Sequence, residues 1–292
     1  MFSNQSERES FPEPFGDSSI DRRKCHLVVP LRLIVLGMPR TELSVRTHHA
    51  SSAKEILRSH TQTDRYPSPA LCMALKHLGF EDTYHMECLF ENPPDIELWH
   101  DAYLAKINAQ AELFGTADWD QLLGRHQAVA DLPTSAFVPE LLAAYPDAKL
   151  ILTPREENSW YDSCQWTIHT VAKSRLVAFL TPLDPHFYGR LRPLLALMFS
   201  SIFPCRPSFW DKPEGRQIWI DTYRSHHDEA RALVPEHRRI EHGVEQGWDP
   251  LCEVLDVDMP VGVEFPRDND TWHYGRKMVV MKKLAVGRVL ER

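Results

Sequence analysis

Long hydrophobic runs are missing from this chain. Away from the first strand, the longest apolar stretch, Leu194 to Met198 running on to Phe203, is about half the roughly 20 residues a membrane span needs, so no span is expected. Positive charge is also in short supply. With 33 Lys and Arg against 41 Asp and Glu, the net charge is −8, which disfavours nucleic acid as a partner and leaves any anion site to a local cluster. No Cys-x-x-Cys pair exists among Cys25, Cys72, Cys88, Cys164, Cys205 and Cys252, which excludes a disulfide scaffold and predicts buried thiols in a reducing compartment. Met1 to Ile20 has no apolar core of the kind a signal peptide carries, so a cytoplasmic location is expected. Disorder is excluded too. The 43% hydrophobic and 10% aromatic content of 292 residues suffices for a core that buries roughly three quarters of the unfolded surface.

What is present reads as α/β. Leu27 to Leu36 is β-branched and apolar on both faces toward its end, then stops at Gly37-Met38-Pro39, the pattern of a buried parallel strand reaching a turn. Lys149 to Thr153 repeats it, ended by Pro154 and preceded by a helical segment from Phe137 to Tyr145. Strand, helix, strand predicts a central parallel sheet flanked by helices. Helical spacing is visible over Leu71 to Leu78 and over Ile96 to Phe114, with Trp99, Tyr103, Ile107 and Ala111 on one stripe. Beyond residue 155 the pattern is mostly helical: Ser159 to Leu180, His186 to Phe203, Gly215 to Val234 and Trp248 to Leu255. Residues 1–24 read as a flexible segment ahead of one domain over 25–292. Inside that domain, 42–69 has no sustained period and reads as an irregular insertion.

Chemistry gathers at the expected carboxyl ends of strands. Gly37-Met38-Pro39-Arg40-Thr41 suits a phosphate-binding turn, with Arg40 adding a charge-assisted contact. Arg155 follows the second strand, and Ser163 stands eight residues on, one or two turns into a helix begun at Asn158-Ser159; the two side chains can converge on one phosphate. Ala128-Val129-Ala130 reads as a further strand that delivers Asp131 to the same edge. His85, in Tyr84-His85-Met86, is a second candidate for acid/base or acceptor-positioning work. His48-His49 and His226-His227 lack a third ligand at metal spacing, so no metal is expected.

Taken together, these fragments resemble the P-loop sulfotransferases, in particular the fungal branch whose donor loop opens Gly-Met-Pro-Arg-Thr. The resemblance rests on Leu36 to Thr41, Ala74 to Phe80, Tyr84-His85-Met86, Asp131-Leu132-Pro133, Tyr145 to Thr153, Gly247 to Cys252 and Phe265-Pro266-Arg267. It implies a sheet of P-loop NTPase-like type and 3′-phosphoadenosine 5′-phosphosulfate as co-substrate. The acceptor it implies is a small molecule bearing a hydroxyl or amine, in fungal secondary metabolism. On the same ground Gly37, Pro39, Arg40 and Thr41 match the loop that holds the phosphosulfate, Arg155 and Ser163 the pair on the 3′-phosphate, Arg267 a late basic residue closing on that phosphate, and Asp131 the position of the general base.

The departure from the family is local. After Thr41 the family continues Gly-Thr-x-Ser into a helix, whereas here Glu42 follows and the helix resumes near Leu71. Losing a glycine and two hydroxyls while gaining an anion weakens phosphate binding, at about 1.5 to 3 kcal/mol per charged hydrogen bond. Position and lack of pattern suggest a retained intron, and an inactive relative acting as a binding protein is the alternative function. The eight tryptophans and other aromatics suit an apolar acceptor, and apolar helices such as His186 to Phe203 fill either a core or a homodimer interface. An NAD-dependent epimerase or reductase is disfavoured, because Tyr145 and Lys149 are separated by Pro146 at a strand start and the glycine fingerprint is absent.

Overall fold

In the computed structural model, residues 18–38, 70–80, 82–108, 112–266 and 270–291 are described. Five parallel strands form one sheet in the order β2-β3-β1-β4-β5: β1 Leu33–Leu36, β2 Thr83–Tyr84, β3 Ala128–Ala130, β4 Lys149–Leu152 and β5 Arg239–Glu241. Successive side chains of each strand enter opposite faces. Ile34, Leu36, Val129, Leu150 and Leu152 join a large core on one side, and Leu33, Val35, Ala128, Ala130 and Ile151 a smaller one on the other. Every residue of β1 is fully buried, which explains its continuous apolar run.

Ten helices longer than one turn flank the sheet among the described residues. They are α1 Ala70–His77, α2 Asp95–Ile107, α3 Thr116–Leu123, α4 Val138–Ala144, α5 Glu157–Cys164, α6 Arg175–Leu180, α7 Tyr188–Ile202, α8 Pro213–Leu233, α9 Asp249–Leu255 and α10 Asp270–Leu290. Residues of α1 and α9 fill the smaller core; the larger one takes aromatic side chains of α2, α3, α5, α7 and α8. There Phe203 and Trp219 stack at 3.7 Å, with Trp160 and Tyr223 4.6 Å apart beside them. His186 to Phe203 therefore serves the core: Leu191, Leu194, Met198, Phe199 and Phe203 are all buried.

Several elements differ from the pattern reading. The first strand spans four residues, because Val28 and Val29 donate to the Gly124 carbonyl and Pro30 has no N–H to give a ladder. α2 ends at Ile107, capped by Asn108, so Ile107 is 51% exposed and off the buried stripe; Ala111 lies outside the described residues. The expected Ser159 to Leu180 helix is broken twice. A π turn occupies Gln165–His169, and the Ser174 hydroxyl accepts from Val177 N–H to start α6 afresh. β2 and β5 were not expected, since two or three residues such as Arg239-Ile240-Glu241 carry no periodic signal. Of the six cysteines, Cys72, Cys164 and Cys252 are buried and the other three half-buried; all are free.

Candidate functional site

A doubly wound sheet opens a crevice at its carboxyl edge where the winding reverses, here beside β1, between β3 and β4. The described candidates from the sequence lie on that edge. Gly37 and Met38 leave β1 fully covered. His85 leaves β2 and is 7% exposed. Asp131 leaves β3 with a left-handed backbone, φ 56°, a conformation aspartate tolerates better than most residues. Its carbonyl accepts from Thr134 Oγ1 at 2.8 Å and Ser135 N–H at 3.0 Å, which fixes the turn.

At the end of β4 the Arg155 peptide is held from both sides by one hydroxyl. Tyr223 Oη accepts from Arg155 N–H at 2.7 Å and donates to the Arg155 carbonyl at 2.9 Å. Sequence reasoning missed Tyr223, and within an amphipathic helix nothing marks it out. The start of α5 also differs from expectation. Glu156, ahead of Asn158-Ser159, is the cap: its carboxylate accepts from Ser159 N–H at 2.7 Å and Asn158 N–H at 3.0 Å, and those bonds hold it down to about 2. These amides are therefore occupied by a carboxylate, and Arg155 and Ser163 are both half-buried. Outside, Arg224 of α8 grips Glu157 through two bonds of 2.7 and 2.6 Å, and Arg216 reaches Asn158 at 2.8 Å.

Ser163 closes the last turn of α5, and its carbonyl accepts from Thr167 Oγ1 at 2.7 Å. The π turn that follows carries Thr167 and Ile168 into the wall of a cavity of about 540 Å³. His85 and Asp131 line the same cavity; the rest of the wall is mainly apolar, from α7, from Trp210 and from Met278 and Met281 of α10. Its volume falls within the range of small-molecule sites. Behind it His126 lies 5.0 Å from the Tyr84 ring, and burial pushes it down to about 3.

Pro39, Arg40, Thr41, Arg267 and the 42–69 segment lie outside the described residues. So the structure brings His85 and Asp131 onto one cavity, sets Arg155 just past the end of β4 and places Ser163 in the last turn of α5. No group of three or more metal-ligating side chains occurs among the described residues, nor does a helix long and apolar enough to cross a membrane.

Comparison with known sequences defines the class: a family model described as a sulfotransferase domain matches residues 65–274, and the chain belongs to that family. The Ava biosynthesis cluster protein M of Aspergillus versicolor is 36% identical over 204 residues, covering 69% of this chain and 76% of that protein. The family match begins behind β1 and its turn.

Proposed function

We propose that the chain transfers a sulfuryl group from 3′-phosphoadenosine 5′-phosphosulfate to a hydroxyl or amine of a small, largely apolar molecule, in fungal secondary metabolism. One observation carries the reading. Two proton-accepting side chains, His85 and Asp131, project from adjacent strand ends into one apolar cavity next to the winding reversal. The biosynthesis-cluster relative supports the metabolic context.

The residues fit the donor's 3′-phosphate: a half-buried guanidinium whose peptide Tyr223 pins, and a hydroxyl two turns along α5. In the reaction the donor supplies an activated sulfuryl group on a phosphate leaving group. Arg155 and Ser163 bind and orient it, the apolar cavity wall excludes water from the acceptor, and Asp131 takes the acceptor's proton as its oxygen or nitrogen bonds to sulfur and the bond from sulfur to the phosphate oxygen breaks, releasing 3′-phosphoadenosine 5′-phosphate. His85 positions the acceptor group. Calorimetry with 3′-phosphoadenosine 5′-phosphate tests this. Micromolar binding that Arg155→Ala weakens at least tenfold is expected; no measurable binding removes the donor site.

A second reading has its own support, because the family match starts only at residue 65, leaving β1 and the Gly37 turn outside it. An interrupted donor loop, with Glu42 where the family has glycine, makes an impaired enzyme or a binding protein. Deleting residues 42–69 and inserting Gly-Thr after Thr41 is then expected to raise donor-product affinity by at least tenfold. Equal affinity before and after rejects it.

A further inference from the structure

The cavity has a shape as well as a volume. On α7 its apolar lining positions are Tyr188, Leu191, Leu195, Ala196, Phe199 and Phe203 just past the helix end, with Arg192 and Ser200 beside them, a three-four spacing that keeps one face turned to the cavity along the whole element. The 15 residues of α7 rise about 22 Å, so a cavity lined from the first of them to Phe203 is drawn out along that length. Its ends are fixed by neighbours. Phe90, on the segment after His85, meets Phe187 at 5.8 Å at the start of α7, and Trp210 meets Phe199 at 5.5 Å near its finish. The opposite wall holds the π turn and the Met278–Met281 pair, flexible thioethers that follow an irregular ligand.

We infer that the acceptor site, on the reading of this cavity given above, takes an elongated molecule with an apolar body, a chain or a linear row of rings, lying lengthwise along α7 rather than a compact one. Burial along such a trough rewards length one methylene at a time until the trough is full. Ala196, near its midpoint, is an exposed small residue on the lip, so a large side chain there blocks the trough without entering the core.

Straight-chain primary alcohols from hexan-1-ol to icosan-1-ol, displacing anilinonaphthalene sulfonate from the full chain, give the test. Affinity is expected to rise about threefold to fourfold per methylene and then level off as the chain nears about 22 Å. Ala196→Trp is expected to bring the plateau forward to roughly half that length, with thermal melting confirming the fold and Ala196→Phe as the milder variant. No dependence on length, a rise with no plateau, or a plateau unmoved by both variants overturns the inference. The assay needs no sulfuryl transfer. If 3′-phosphoadenosine 5′-phosphate fails to bind while the plateau behaves as stated, the donor reading falls and the trough stands.

Discussion

Asp131 and His85 line one cavity from the ends of different strands, and the function proposed above gives them different roles. Asp131 holds φ 56° in a turn fixed by Thr134 and Ser135, which sets the direction in which its Cα–Cβ bond leaves the strand end. Asparagine accepts the same backbone but takes no proton. Asp131→Asn is therefore expected to lower kcat with 2-naphthol by about 10² to 10⁴-fold while the affinity for 3′-phosphoadenosine 5′-phosphate stays put. His85→Asn is expected to raise KM for the naphthol more than it lowers kcat. The reverse pattern in steady-state kinetics exchanges the two roles.

At the level of elements, α10 adds Met278 and Met281 to the cavity wall and has no counterpart in the sequence pattern. Arg288 ties it down with bonds of 3.0 and 2.7 Å to Asp184, a carboxylate only 1% exposed, and four residues beyond the cavity-lining Met281 Ala285 is buried in the core. Burial alone pushes the Asp184 carboxyl up, yet the Arg288 hydrogen bonds and charge hold it below its ordinary value. Removing the guanidinium strands that carboxylate. Arg288→Ala is expected to cost about 2 kcal/mol in urea unfolding, a buried pair discounted for the partly exposed arginine. Arg288→Lys recovers part of the loss, since one ammonium replaces two parallel bonds. A variant as stable as the parent rejects the latch.

The whole molecule carries an acid sensitivity that no single element shows. Burial pushes His126 down to about 3 and His169 and His226 to about 4, and lowers His227 and His242 as well. These side chains stay neutral when folded but take protons in the unfolded chain below about pH 6.5. The unfolded state then binds more protons, so stability is full above that pH and falls as pH drops toward about 4, at up to about 1.4 kcal/mol per unit for each histidine. Urea midpoints at pH 7.5, 6 and 5 should decline steadily, and His126→Asn should flatten the slope by one histidine's share. A midpoint unchanged from pH 7.5 to 5 contradicts it.

The continuous apolar runs and turn chemistry of short segments determined much of this protein in advance. Leu33 to Leu36, Ala128 to Ala130 and Lys149 to Leu152 are legible as buried parallel strands because both faces are covered, and the residues at their ends, Gly37, Asp131 and Arg155, are legible with them. Local pattern stops where partners are remote. β5 exists because β4 offers a ladder, and Tyr223 reaches the Arg155 peptide across 68 residues. The trough is the clearest case. It is built from α7, the π turn and α10, stretches of sequence whose apolar faces read as ordinary core, and only their packing leaves a gap between them at the strand ends, because burial drives apolar faces together without saying which will meet.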